Sequence, residues 1–310
     1  MREKGSPMTI HPIDLQFQGV PGIIAAHVLE SGGEVALIET GPASCQEALV
    51  AGLRSLGIGV KEVRKVLVTH IHLDHAGGAG WWAQQGAQVF VHGKGAPHVI
   101  DPAKLIDSAT RIYGERMDAL WGPILPAPPE RVTVLEDGDR VRVGEFEIEA
   151  WNTPGHARHH HAFVTGDVCF TGDVAGVRLQ GFEYLSVAAA PPQFDPGAYE
   201  ASVDRLIAGG FSKLYLAHFG EVIDPAQHLQ RYRQRIIDVH ERIAGWKHEG
   251  LDSDEIARRY TQSEHAIAAL PEAAWQRYEL ANGTVMCAGG IELYVTKAAE
   301  SEAANHAAGR

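Results

Sequence analysis

The chain has 310 residues, 45% of them hydrophobic, enough for one large domain with a full core or for a domain with an appendage. Its formal charge of −12 repels phosphate backbones and anionic membranes, so nucleic acid and membrane surfaces are not expected partners. Cys45, Cys169 and Cys287 form no CxxC pair, no stretch approaches the roughly 18 apolar residues of a spanning helix, and the first residues lack the apolar core of a secretory signal. A soluble, cytoplasmic protein is expected, with Met8 as an alternative start.

Residues 13 to 39 read as short strands, "IDLQF", "IIAAHVLE" and "EVALIET", separated by Gly-Pro and Gly-Gly turns. "PASCQEALVAGLRSLG" follows with Ala48, Leu49, Leu53 and Leu56 on one helical face and Gly57 as its stop. "VRKVLVT" is a buried strand, "GAGWWAQQG" starts a helix, and "AQVFVH" is the next strand, an α/β rhythm. Residues 97 to 122 break that rhythm as an amphipathic helical insertion, closed by the proline-rich "PILPAPPE". Strands resume with "RVTVLE", "DRVRVG", "EFEIEAW", "HHAFV" and "VCF", and a helix near 197–209 and the strand "KLYLAH" complete a first domain, 1–222. Residues 223–300 read as a helical C-terminal extension in which "GTVMCAGGIELYVTK" is ambiguous, since two glycines weaken a helix and "IELYV" suits a strand. The tail 301–310 is expected to be disordered. The long helices after 223 leave open whether they pack on their own domain or in a homodimer.

Histidine is the outlier, with 17 residues, three of them within 70–75 and four within 156–161. "VTHIHLDHAGG" places His70, His72, Asp74 and His75 where an apolar strand ends. The i, i+2 spacing puts two imidazoles on one side of an extended chain, and the next two groups turn elsewhere, so one segment can serve two metal ions. "VTGDVCFTGD" repeats Thr-Gly-Asp. Asp167 lies between two short apolar strands, where Gly-Asp is turn chemistry, whereas Asp173 lies where the chain leaves the sheet, the same kind of place as His70 and His218. Asp173 is therefore the metal candidate. His159, His160 and His161 begin a strand and must alternate faces, so they are read as residues beside the site, and His92 and His98 as surface or core.

The His-x-His-x-Asp-His motif, "NTPGHARHHH" with His156, "CFTGD" with Asp173 and "LYLAHFG" with His218 together resemble the metallo-β-lactamase superfamily over roughly residues 10 to 220. "HLDHAGGAG", "GAPHVIDPAKL", "RIYGERMDALWG" and "FTGDVAGVRL" resemble a branch related to glyoxalase II. The resemblance implies an αββα sandwich with a helical insertion and extension. It implies one metal on His70, His72 and His156, a second on Asp74, His75 and His218, and Asp173 between them. Such donors suit two divalent ions, zinc first, with iron or manganese as alternatives. The implied reaction is attack of a metal-bridging hydroxide on an ester-type bond of a small molecule, a thioester, lactone or phosphoester, with Asp74 orienting the hydroxide and relaying a proton. β-Lactamases of this fold generally lack an aspartate at position 173, and the quorum-quenching lactonases often carry a tyrosine where Gly176 stands, which disfavours both. The alternative is a mononuclear iron enzyme like the persulfide dioxygenases. A flavodiiron reductase would need a flavin domain that residues 223–310 do not resemble, and a scaffold without catalysis would have lost ligands. Tyr113, Met117, Trp121, Phe182 and Tyr184 are the candidate pocket residues, and the loop 181–196 after Asp173 is where substrate contacts are expected.

Overall fold

The computed structural model describes residues 8–308. In chain order come β1 (Thr9–Asp14), β2 (Ala25–Ser31), β3 (Glu34–Ile38), α1 (Gln46–Ser55), β4 (Val63–Leu67), α2 (Leu73–Ala76), α3 (Ala79–Gln84) and β5 (Gln88–His92). The insertion is three helices, α4 (Ala96–Ile100), α5 (Ala103–Tyr113) and α6 (Met117–Trp121). Then come β6 (Val132–Leu135), β7 (Arg140–Val143), β8 (Phe146–Asn152), β9 (His161–Thr165), β10 (Val168–Gly172), α7 (Pro196–Gly209), β11 (Lys213–Leu216) and β12 (Gly220–Val222). Four helices finish the chain: α8 (Pro225–His248), α9 (Ser253–Ala268), α10 (Glu272–Ala281) and α11 (Thr284–Ala308).

The strands form two six-stranded sheets, β1 to β6 in order and β12 back to β7 in order. In the first, β1, β2 and β3 are antiparallel and β3 to β6 are parallel; in the second only β10 and β11 are parallel. Strand alternation builds the layers. Val35 and Leu37 of β3 join the core under α1 and α3, while Ala36 and Ile38 face the second sheet with Phe163, Phe170 and Tyr215. Ala162 and Val164 of β9 point the other way, into a third core with Tyr199 of α7 and Leu229, Tyr232 and Ile236 of α8. Both faces of the central strands are buried, which is why "EVALI" and "HAFV" read as nearly continuous apolar runs.

Two expectations change and one open reading is resolved. "IDLQF" is not one strand: the Asp14 carboxylate accepts from the backbone N–H of Gln16 and Gly22, which turns the chain after β1, and Phe17–Gly19 is a 3₁₀ turn. The ambiguous "GTVMCAGGIELYVTK" is the first part of α11. Gly290 is there because the helix lies so close to the 185–190 loop that a Cβ would sit 1.8 Å from the Ala189 carbonyl oxygen. The tail expected to be disordered continues α11 through Ala308, as its run of alanines favours, with residues 309–310 outside the described part. Residues 1–7, before the alternative start, are outside it too. Among the described residues no helix is long and apolar enough to cross a membrane.

The extension shares its core with the second sheet. Leu229, Tyr232, Ile236, Val239 and Ile243 on one face of α8 are buried against it. Truncation after Val222 is therefore expected to yield insoluble or unfolded protein, because it strips that face from the sheet; a soluble fragment with a cooperative melt would contradict this.

Candidate metal centre

Strand ends and one loop place the candidate ligands. His70 and His72 follow β4, Asp74 and His75 lie in the first turn of α2, His156 sits in the β8–β9 loop, Asp173 follows β10 and His218 follows β11. The seven side chains, far apart in sequence, meet at one edge of the sandwich. His70 Nε2, His72 Nδ1 and His156 Nε2 converge, at 3.0 Å from His70 to His72, 3.2 Å from His70 to His156 and 2.8 Å from His72 to His156. Beside them His75 Nε2 and His218 Nε2 lie 3.5 and 3.3 Å from Asp74 Oδ2. Asp173 spans the two groups: Oδ2 is 3.4 Å from His156 Nε2, and Oδ1 is 3.3 Å from His75 Nε2 and 3.6 Å from His218 Nε2.

The hydrogen bonds behind the rings fix which nitrogens carry protons. His156 Nδ1 donates to the Ala188 carbonyl at 3.0 Å and His218 Nδ1 to that of Ile23 at 2.9 Å, so each ring in its neutral form aims an Nε2 lone pair inward. Thr69 Oγ1 donates to Glu39 and therefore accepts from His70 Nδ1 at 3.0 Å, which leaves a lone pair on His70 Nε2 as well. Lone pairs of His70 and His156 thus face each other at 3.2 Å, an arrangement that is repulsive unless a cation stands between them. Among the described residues His75 Nε2 and Asp173 Oδ1 are buried with no hydrogen-bond partner. Nitrogen and carboxylate donors, orphaned and converging, fit divalent metal ions, and three triads of this chain have metal-binding proximity: His70–His72–His156, Asp74–His75–His218, and Glu39–His70–His75.

The two halves differ in electrostatics. Burial lowers the proton affinity of His70 well below its usual range and that of His72 to about 3, with neighbouring imidazoles adding to the effect. For His75 and His218 burial opposes the charge, but Asp173 and Asp74 outweigh it and raise both. Burial works against the ionised forms of Asp74 and Asp173 as well, and His75 and its neighbours still hold both well below the usual carboxylate range.

Glu39 is a residue of this site that the sequence does not single out. It ends β3 next to β4, is buried, and accepts from the Thr69 backbone N–H at 3.2 Å, from Thr69 Oγ1 and from His75 Nδ1 at 3.1 Å. Its φ of 66° is a left-handed conformation that costs a glutamate on the order of 1–3 kcal/mol. The repeated Thr-Gly-Asp resolves as the sequence suggests: Asp167 is exposed in the β9–β10 hairpin, and Asp173 is buried at the cluster. Gly172 before it has φ 50°, and a Cβ there would stand 2.4 Å from Thr69 Oγ1 and 2.8 Å from His160 Nε2. His160 bridges Thr153 Oγ1, at 2.8 Å, and the Asp173 backbone N–H, at 3.2 Å, while His161 turns away to stack near His92, with ring centroids 4.6 Å apart. Tyr199 donates to the Asp173 carbonyl at 2.7 Å and meets the Tyr232 hydroxyl of α8 at 2.7 Å. Tyr199→Phe is expected to cost about 1–2 kcal/mol in chemical denaturation and to weaken metal retention; unchanged values of both would show that this chain of hydroxyls does not hold Asp173.

A cavity of about 630 Å³ opens onto His72, Asp74, His156, Asp173 and His218. Tyr113 and Trp121 line it, and the insertion that carries them is pinned by Ser44 Oγ donating to the Leu120 carbonyl at 2.6 Å and by Phe17 stacking on Trp121 at 5.5 Å. Ala190, Pro191, Pro192 and Gln193 of the 181–196 loop line it too, as do His98 and His159. Phe182 and Tyr184 do not. Their rings pack on Tyr278 of α10, and the Tyr184 hydroxyl donates to Glu264 at 2.6 Å, so they anchor the extension instead. Met117 is buried in the core behind the cavity wall.

The model of the metallo-beta-lactamase superfamily matches residues 19–218. A metallo-beta-lactamase fold-containing protein of Sulfurisphaera tokodaii is 29% identical over 161 residues, 51% of this chain and 60% of that protein. A hydroxyacylglutathione hydrolase of Hahella chejuensis is 28% identical over 170 residues, 54% of this chain and 52% of that one. The chain thus matches about half to three-fifths of the length of these relatives. A metallo-beta-lactamase family protein from Thermus thermophilus superposes with a TM-score of 0.63 at 22% identity, covering 94% of both chains. By fold, by the matched segment and by the residues gathered at the sheet ends, this chain belongs to the metallo-beta-lactamase superfamily.

Proposed function

We propose that the protein is a dinuclear metallohydrolase that cleaves an ester-type bond, a thioester, lactone or phosphoester, in a small substrate. The observation that carries this reading is Asp173, whose two carboxylate oxygens reach separate ligand groups, one at His156 and one at His75 and His218. His70, His72 and His156 would hold one ion and Asp74, His75 and His218 the other, zinc being favoured by the donor set. Ions held there supply hydroxide near neutral pH, by lowering the pKa of water from about 15.7 toward 7, and stabilise negative charge on the substrate oxygen.

The chain's own groups divide the remaining work. Asp74 is the carboxylate open to the cavity, its side chain 21% exposed against 6% for Asp173, so it is placed to orient the nucleophile and to pass its proton to the leaving group. Asp173 is the more enclosed of the two and serves to tie the two groups together. Tyr113 and Trp121 form the wall facing them, and the apolar lining lowers the dielectric around the reacting bond. Similarity to a protein named hydroxyacylglutathione hydrolase supports testing acylated thiols first.

The test is a panel of thioesters, lactones, carboxylic esters and phosphoesters on metal-loaded protein. Turnover of at least one class, lost in His156→Ala with the fold intact by circular dichroism, is expected. No turnover of any class, or equal turnover by the variant, would overturn the hydrolase reading.

A further inference from the structure

The cavity carries a charge opposite to that of the chain around it. Lys94, Lys104, Arg116 and Arg158 all line it, and they come from three separate stretches: the loop after β5, the insertion, and the β8–β9 loop. Among the described residues none of these four side chains makes an ion pair or hydrogen bond. Several cations elsewhere are matched, Arg178 by Glu183 and Asp224, Arg258 by Glu255, Lys247 by Glu292. Of the carboxylates that line the cavity, Asp74 and Asp173 belong to the candidate metal-ligand cluster, and Glu279, which accepts from the backbone N–H and hydroxyl of Thr284 at 3.3 and 2.8 Å, is the one charge outside that cluster set against the four cations. Asp101, Asp107, Glu115 and Asp118 of the insertion do not line it. Four unmatched cations around one opening, on a chain of net charge −12, reverse the field locally and concentrate anions there.

The rest of the wall is apolar. Leu105, Ile112, Tyr113 and Trp121 come from the insertion and Leu280 and Met286 from α10 and α11, with the Tyr113 hydroxyl 3.7 Å from Met286 Sδ. Ile112, in that wall, is 51% exposed. Large apolar side chains left open beside a cavity gain from an apolar ligand that covers them. We infer, on the hydrolase reading above, that the substrate is an amphipathic anion: an ester or thioester that carries a carboxylate or phosphate together with an apolar chain. The anion meets the Lys and Arg side chains, the chain lies along the wall made by the insertion and α10–α11, and the reacting bond falls at Asp74.

A pair of substrates tests this: the octanoyl thioesters of coenzyme A and of N-acetylcysteamine, which share the reacting bond and the octanoyl chain, the coenzyme A ester adding the phosphates together with the pantoyl and adenosine groups, so that salt and the double variant isolate the charge. The coenzyme A thioester is expected to be preferred by about tenfold or more in kcat/KM, mainly through KM, with the preference shrinking at high salt and in Lys94→Gln/Arg158→Gln. Equal kcat/KM for the pair, or a preference unmoved by the double variant, would overturn the inference while leaving the hydrolase reading intact. If neither thioester is cleaved, the thioester form of the hydrolase reading fails, and calorimetric binding of octyl phosphate then decides the inference without turnover. Binding weaker by about tenfold in the double variant supports it, and equal binding overturns it.

Discussion

Asp74→Asn is expected to lower turnover by about 10³-fold while leaving the fold intact. The amide keeps the volume and one acceptor oxygen but cannot take a proton, and it removes the charge that faces His75 and His218 at 3.5 and 3.3 Å, so the metal-free chain loses some stability as well. The loss should lie in kcat more than in KM, because Asp74 acts on the proton and not on the distal parts of the substrate. Asp167→Asn provides the comparison: it sits in an exposed hairpin turn with the same Thr-Gly-Asp context, and it should turn over substrate at the normal rate. Steady-state kinetics on the best substrate of the panel measure both. Retention of turnover by Asp74→Asn would remove the aspartate from proton transfer.

The second large effect is expected at Glu39. In Glu39→Gln one carboxylate oxygen becomes an NH₂ group, which then faces a donor, either the Thr69 N–H at the Oε2 position or the Thr69 hydroxyl and His75 Nδ1 at the Oε1 position. A donor buried against a donor costs about 2–4 kcal/mol, and it loosens two ligand rings at once, since Thr69 orients His70 and Glu39 orients His75. Metal affinity is expected to fall by about 10–100-fold, the usual effect of removing the partner behind a ligating histidine. Denaturation curves and competitive metal titration measure the two losses separately. A variant that keeps wild-type metal affinity would show that Glu39 only fills space.

Most of the candidate ligand positions can be read from the sequence because they lie in short segments at the end of an apolar strand, where local pattern fixes both strand and exit, whereas His156, inside the β8–β9 loop, is read only through the resemblance of its motif. His70, His72, Asp74 and His75 share one such exit, and Asp173 and His218 mark two more. Glu39 is not legible in this way, because a glutamate after "VALI" reads as an exposed strand terminus. The missing signal is that β3 lies parallel to β4, so its end meets the histidine segment, a fact of pairing that no local window carries. Nearness in sequence to Asp173 points Phe182 and Tyr184 toward the pocket. Tyr278 and Trp275, nearly a hundred residues later, pull those rings the other way. His98, Lys94 and Arg158 become cavity residues for the converse reason: the three-helix insertion and the loop after β8 fold over the cluster, and their polar side chains look like ordinary surface in the sequence. The glycine pair in "MCAGGIELY" misleads in a similar way, since Gly290 answers to a close approach by the Ala189 carbonyl and not to a helix break.

The most direct measurement is metal content per chain, by elemental mass spectrometry on protein purified without chelator or added metal. Two equivalents of zinc, manganese or iron, falling together in Asp173→Ala, are the expected result, because that carboxylate joins the two ligand groups. One equivalent of iron, with no second metal taken up on titration and no loss in the Asp173 variant, would contradict the dinuclear centre and turn attention to oxygen uptake with persulfides.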